Sequence, residues 1–114
     1  KEEKEAAIES ATIHAAEIPL QTMRHSFNAL EHAKVAADKG NINAITDAGC
    51  AAHALMAAIE GAALNVRINL GNIKDKLFVK KASEEAERII SEGKKMKEDI
   101  LEFVEQRMKE LEED

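Results

Sequence analysis

Four polar residues punctuate an apolar part of this 114-residue chain, and their types could support chemistry on a small molecule. They are Asn43, Asp47, Asn65 and Asn69. A carboxylate can transfer protons, and an amide both donates and accepts hydrogen bonds. In a helix, at about 100° per residue, all four would share one stripe. Small residues fill that stripe between them: Ala51, Ala54, Ala58, Gly61 and Ala62. The stripe is thus a trough that admits either a flat ligand or a neighbouring backbone.

Each of these polar residues also has a structural interpretation. Asp47 could be a residue of a helix N-terminus, where the helix dipole favours a negative charge. Asn69 could mark the end of the same helix, an explanation that suits Asn65 less well. The residue types alone do not decide between a ligand site and these structural roles.

The segment that carries the four residues, 41–70, predicts a central helix. Between Ala48 and Leu64 only His53 and Glu60 are polar. A helix that is apolar nearly all round is typically buried. We therefore expect Asn43–Asn65 to be the most buried helix of the protein, with Cys50 buried within it.

A long helix is predicted on each side of this segment. From about Glu2 to Asp38, apolar residues recur at spacings of three and four, and Pro19 within this pattern should kink or divide the helix. After a short turn at 71–74, a long amphipathic helix should run from about Asp75 into the C-terminus, its last turns fraying from Glu105 onward. The fold class is therefore all-α, an antiparallel bundle of about three long helices forming a single domain over residues 1–114.

Such a bundle leaves apolar surface uncovered. Two amphipathic partners cannot surround a helix that is apolar all round, and the first helix carries a second mild stripe opposite its core face. We expect another segment or subunit to supply the missing wall, most simply a second copy in a homodimer. The chain also starts without an initiator Met. This suggests the second part of a longer protein.

Composition narrows the class of protein. A net charge of −6 and a pI near 5.3 argue against nucleic acid as a partner. The lone cysteine fits a reducing cytoplasm, and we see no secretory signal. The apolar centre of 41–70 is shorter than the roughly 20 residues of a membrane span and carries His53, Glu60 and Arg67, so we expect no membrane partner. Three further histidines share a stripe at spacings of eleven and seven, too far apart for one metal.

Four short patches carry a resemblance to a known family. They read AAEIPL at 15–20, AADKGN at 36–41, NAITDAG at 43–49 and AALNVRINL at 62–70. In order and spacing the chain resembles the cyclodeaminase/cyclohydrolase family of folate enzymes, from about Lys4 to Arg107. Thr46 stands where that family usually has serine and keeps the hydroxyl. The first half of the family's domain is absent from this chain, so we expect residues 1–114 to be the C-terminal part of a cyclodeaminase-like domain.

The resemblance implies an all-helical dimer that binds a tetrahydrofolate derivative as substrate. The spacing of the histidines leads us to expect no metal. The reaction would be the lyase step that cyclises formimidoyltetrahydrofolate to methenyltetrahydrofolate with ammonia release, or hydrolysis of methenyltetrahydrofolate. Asp47 matches the family's carboxylate and is the candidate general acid/base. Asn43, Asn65 and Asn69 are candidates for binding the edge of the pterin. A non-catalytic folate-binding module and a purely structural dimerisation module remain alternatives.

Overall fold

The protein consists of three long helices. The computed structural model describes residues 1–113, in which α1 spans Glu2–Lys39, α2 spans Ile45–Leu70 and α3 spans Lys76–Glu113. A short 3₁₀ turn, Ile42–Ala44, joins α1 to α2. This confirms the predicted all-α bundle and the turn after α2.

Short connections make consecutive helices antiparallel, and each helix packs against the other two. The bundle is a rod with principal extents of 72 × 18 × 17 Å. Leu, Ile, Met and Ala side chains at helical spacing form the buried core between the three helices. The largest fully buried side chains are Met23, Leu30, Ile45, Met56, Ile59, Ile89, Ile100 and Val66. The core is built from small and medium side chains, so the helices lie close together.

Polar contacts fix both ends of the rod. At one end, the Glu9 carboxylate accepts hydrogen bonds from the backbone N–H groups of Lys74 and Asp75, at 2.9–3.0 Å. Asp75 in turn accepts from the Phe78 N–H at 3.1 Å and caps α3. At the other end, the Arg107 guanidinium donates to carbonyl oxygens at the end of α1. These contacts join the loops to distant helices.

Three local predictions differ from the structure. Pro19 does not divide α1, which continues as one helix to Lys39, while the alternative of a kink at Pro19 stays a prediction. The turns after Glu105 stay helical to Glu113 instead of fraying. Asn43 lies in the 3₁₀ turn, where its N–H donates to the Asn41 side chain at 2.9 Å, so it is not part of the α2 stripe.

The burial of α2 is the largest correction. α2 has the largest share of buried residues of the three helices, as predicted, but about half of its residues are exposed. Ala54 and Ala58 are exposed and Ala51 is half-buried, while Leu64 and Ile68 are 64% and 70% exposed. Burial all round was predicted from apolarity alone, and this chain provides partners on only one side of α2.

Exposure of α2 also changes two expectations that depended on its burial. Cys50 is exposed instead of buried. Among the described residues, the helical segment Ile42–Leu70 is long and apolar enough to cross a membrane, although a third of its apolar window is buried in the bundle. The length argument against a membrane span is therefore wrong. Core helices of soluble proteins pass the same test, so the absence of a membrane partner stays a prediction.

Candidate functional site

An open groove runs between α1 and α2 where α2 approaches its C-terminal end. Its volume is about 590 Å³. Its walls are mostly apolar, and its lining consists of Ala15, Ile18, Pro19, Thr22, Ala58, Ala62, Asn65 and Asn69. The four lining residues of α2 belong to the small-residue stripe identified in the sequence. The flat floor and the two amides are suited to a planar ring that carries hydrogen-bonding groups.

A side-chain contact joins the two helices at the end of the groove. Pro19 has no N–H, so the carbonyl of Ala15 lacks the donor that an ordinary α-helix would supply. The Asn69 side chain donates to that carbonyl oxygen at 3.4 Å and to the Asn65 carbonyl oxygen at 2.9 Å. One amide thus links the last turn of α2 to the proline turn of α1.

Asn65 and Asn69 line the same groove, in keeping with their shared stripe, but their contacts differ, and their binding of a ligand stays a prediction. Asn69 is half-buried and its amide nitrogen is used within the protein. The Asn65 side chain is exposed at the groove surface. Asn65 is the better placed of the two to meet a ligand with its whole amide.

Asp47 and Asn43 lie far from this groove. Asp47 is in the first turn of α2 and is exposed. At 1.5 Å per residue it is about 27 Å along the helix from Asn65. A bicyclic pterin cannot span that distance, so the four predicted residues do not form one ring-binding site within a single chain.

The α1 wall of the groove was missed by sequence reasoning. Ile18, Pro19 and Thr22 line it, and Ile18 is 54% exposed. Ile18 and Pro19 lie in one of the four patches that carried the family resemblance. A proline inside a strong helical pattern was the available signal, but it was interpreted as a kink or a division of the helix.

Charged pairs are concentrated on the other side of α1, where it faces α3. Arg24 forms two hydrogen bonds of 2.6 Å with Glu85. This contact lowers the pKa of the Glu85 carboxyl and raises that of the Arg24 guanidinium. Asp99 accepts hydrogen bonds from Lys95 at 2.7 Å and Lys34 at 3.4 Å, and its pKa is lowered, chiefly by the Lys95 contact. The Arg24–Glu85 and Lys34–Asp99 pairs connect α1 to α3, the Lys95–Asp99 pair lies within α3, and all of them lie outside the groove.

The four histidines do not form a site. His14, His25, His32 and His53 are all exposed. Among residues 1–113, no group of three His, Cys, Asp or Glu side chains is placed to hold a metal ion. A reaction without a metal remains a prediction for this protein.

Comparison with known proteins gives the context of the groove. Residues 1–88 match the family described as formiminotransferase-cyclodeaminase. Methenyltetrahydrofolate cyclohydrolase of Methylorubrum extorquens is 34% identical over 104 residues, which are 91% of this chain and 50% of that protein. Formimidoyltransferase-cyclodeaminase of Dictyostelium discoideum is 31% identical over 105 residues, 92% of this chain and 20% of that protein.

The chain thus spans half or less of each of these relatives. The match covers α1, α2 and the first part of α3, and it includes every residue that lines the groove between α1 and α2. The chain belongs to the formiminotransferase-cyclodeaminase family.

Proposed function

We propose that this chain is part of a folate one-carbon enzyme. It would cyclise formimidoyltetrahydrofolate to methenyltetrahydrofolate with release of ammonia, or hydrolyse methenyltetrahydrofolate. The observation that carries the proposal is the groove between α1 and α2, which combines a flat apolar floor with two amides in a chain of this family. Both relatives are named for reactions of this class.

The groove would hold the pterin ring. Apolar walls from Ile18, Ala58 and Ala62 remove the ring faces from water, and that burial supplies most of the binding free energy. The edge of a pterin carries both N–H donors and acceptors, and an amide complements both kinds of group. Asn65 and Asn69 are therefore the proposed substrate-binding residues.

The chemistry requires proton transfer. In the cyclisation, the exocyclic amine nitrogen next to the pterin attacks the carbon of the protonated formimidoyl group and loses its proton. The bond from that carbon to the terminal nitrogen then breaks as this nitrogen gains a proton and leaves as ammonia. In the hydrolysis, water adds to the methenyl carbon and loses one proton. The remaining hydroxyl proton then moves to one of the two nitrogens as its bond to the carbon breaks, which leaves a formyl group on the other nitrogen. We propose Asp47 as the general acid/base for these transfers, with Asn43 close to it in the chain.

A second copy of the chain would bring Asp47 to the groove. If two α2 helices packed antiparallel and crossed level with Met56, Asp47 of one copy would lie level with Asn65 of the other. The exposed side of α2 is rich in small residues around this level, namely Ala54, Ala57 and Gly61, so two backbones could approach closely. We therefore propose a homodimer, with a further segment of a longer protein as the other possible source of the wall.

The groove can be tested by filling it. Ala58→Leu adds a branched side chain to the floor without changing the core, because Ala58 is exposed. We expect the dissociation constant of the Ala58→Leu variant for tetrahydrofolate, measured by calorimetry, to rise at least about tenfold. A pterin ring kept out of the groove loses most of the area that it would bury there. Thr22→Leu fills the same groove from α1 and should act similarly.

Ser91→Leu is the matched control. Ser91 lines a different open groove of about 630 Å³ between α1 and α3, whose other lining residues are mostly charged. This variant should bind tetrahydrofolate normally. Sedimentation of each variant separates a blocked groove from a lost dimer. If both groove-filling variants bind tetrahydrofolate with unchanged affinity, folate binds elsewhere. If the wild type shows no binding, folate is not a ligand of this protein.

A non-catalytic dimerisation or folate-binding module is the second candidate. It is favoured by one observation: Asp47 is exposed in the first turn of α2, where the helix dipole alone explains a carboxylate. Binding of tetrahydrofolate without either reaction would identify such a module. For both candidates we expect a cytoplasmic protein with no nucleic-acid or membrane partner.

A further inference from the structure

Pro19 and Asn69 form a pair across the end of the groove. Pro19 removes the backbone donor that the Ala15 carbonyl would have in an uninterrupted helix. Such a carbonyl, left without a partner, costs stability and loosens its turn. Nevertheless α1 continues through this turn, and Asn69 of α2 donates to the Ala15 carbonyl oxygen at 3.4 Å.

The hydrogen bonds of Asn69 determine the orientation of its amide. Both of its partners, the carbonyl oxygens of Ala15 and Asn65, can only accept hydrogen bonds. The amide NH₂ must therefore face them, and the amide oxygen is turned the other way. Because Asn69 also lines the groove, a single side chain joins the two walls and sets the orientation of an acceptor there.

We propose that Asn69 is a positioning residue whose amide replaces the backbone donor missing at Pro19, and that this contact sets the width of the groove between α1 and α2. The inference rests on the proposed function, in that the ligand used to detect a change of width is tetrahydrofolate. It assigns to Pro19 and Asn69 a joint role that neither residue has alone.

The pairing predicts that the effects of substituting Pro19 and Asn69 are not additive. Asn69→Ala removes the donor and leaves the Ala15 carbonyl unpaired. A hydrogen bond is typically worth about 1 kcal/mol, so tetrahydrofolate should bind about three- to tenfold more weakly. Pro19→Ala restores a backbone N–H that can bond to Ala15 within α1. In that background, Asn69→Ala should weaken binding less, because only the direct contact of the Asn69 amide with the ligand is then lost.

The experiment is a double-mutant cycle in the natural full-length protein. Wild type, Asn69→Ala, Pro19→Ala and the double variant are compared by their dissociation constants for tetrahydrofolate, measured well below the melting temperature, and by their thermal midpoints. The binding arm separates positioning from stability, because a residue that only stabilises the fold leaves the affinity of the folded protein unchanged.

Asn72→Ala is the matched control. The Asn72 amide donates to the Ile68 carbonyl oxygen, four residues earlier, as Asn69 does to Asn65, but among the described residues it donates no hydrogen bond to α1. This variant should leave both readouts unchanged. Asn69→Asp is the second test variant, because its carboxylate would face two carbonyl oxygens. It should bind more weakly than Asn69→Ala when Pro19 is present.

The outcomes separate the two proposals. Smaller effects of Asn69→Ala in the Pro19→Ala background, on both affinity and thermal midpoint, support the pairing. Equal effects in the two backgrounds, or no effect on affinity in a protein that binds tetrahydrofolate, overturn it. If wild type does not bind tetrahydrofolate, the proposed function fails. Coupling of the thermal midpoints then still supports the hydrogen-bond pairing, while additive midpoints overturn it as well.

Discussion

Arg107 provides the sharpest test of how the bundle is held together. Its guanidinium reaches from α3 to the end of α1 and donates to the Ala37 carbonyl oxygen at 3.0 Å and the Gly40 carbonyl oxygen at 2.7 Å. Ala37 is in the last turn of α1, where carbonyls have no helical partner. The positive charge also lies at the negative end of the helix dipole. Two charge-assisted bonds and a favourable dipole thus depend on one side chain.

Arg107→Met removes both bonds and the charge while keeping most of the apolar stem. Hydrogen bonds from charged donors contribute about 1.5–3 kcal/mol each when buried, and this guanidinium is only partly buried. Allowing for solvent, we expect a loss of about 2 kcal/mol in the free energy of unfolding. Arg107→Lys keeps the charge but cannot donate to two carbonyl oxygens in the fixed geometry of a guanidinium. Its loss in the free energy of unfolding should be about half as large.

Urea unfolding followed by circular dichroism measures this loss. The midpoint should fall while the slope with urea stays constant, because the surface exposed on unfolding does not change. Arg88→Met is the control, since Arg88 pairs only with Glu92, one helical turn away on an exposed surface. Its cost should be a few tenths of a kcal/mol. Equal costs for Arg107→Met and Arg88→Met would refute the assigned role of Arg107.

Two further predictions concern an ion pair and the exposed side of α2. Arg24 holds the pKa of Glu85 below its ordinary value of 4.5, so the pair stabilises the fold above that pH, and this contribution is lost as the pH falls through the lowered pKa. Glu85→Gln should therefore cost up to about 1 kcal/mol near pH 7 and progressively less in acid, as measured by urea midpoints; a cost independent of pH would contradict this. Gly61→Leu should shift the proposed dimer to monomer in sedimentation, because a Cβ at Gly61 meets nothing within 4 Å in the described chain, so the position has room there that a partner would fill. Gly49→Ala is its control, since the new methyl would meet Val104 at an ordinary 3.6 Å, and equal sedimentation of both variants would count against the proposed interface.

The helices themselves could be predicted from the sequence because their apolar residues recur at helical spacing. Which residues cover α2 could not be predicted from the sequence. An apolar surface favours burial, but its composition does not show which chain or segment buries it. Cys50 and Ala54 were therefore expected inside and are exposed. Asn43 was assigned to the wrong element because its bond to the Asn41 side chain starts a 3₁₀ turn before α2.

The site was predicted in part for a similar reason. Position on a helix stripe identified Asn65 and Asn69, which do meet in the groove. The same stripe also included Asp47, although distance along the helix separates it from them. The contact between Asn69 and Ala15 depends on which turns of α1 and α2 lie side by side. That alignment is set by the packing of the whole bundle and not by any local pattern.

The most direct measurement of the proposed function is the turnover of Asp47→Asn in the full-length protein. Ammonia release from formimidoyltetrahydrofolate and opening of the methenyl bridge are measured beside wild type and His53→Gln, which changes another exposed residue of α2. The asparagine keeps the size of the side chain but cannot transfer a proton. In Asp47→Asn we expect the rate of whichever of the two reactions the wild type catalyses to fall by about 10²–10⁴-fold, with the affinity for tetrahydrofolate retained. The rate of His53→Gln should stay near that of the wild type. Undiminished rates of both reactions in Asp47→Asn would show that Asp47 is structural and that its catalytic assignment is wrong.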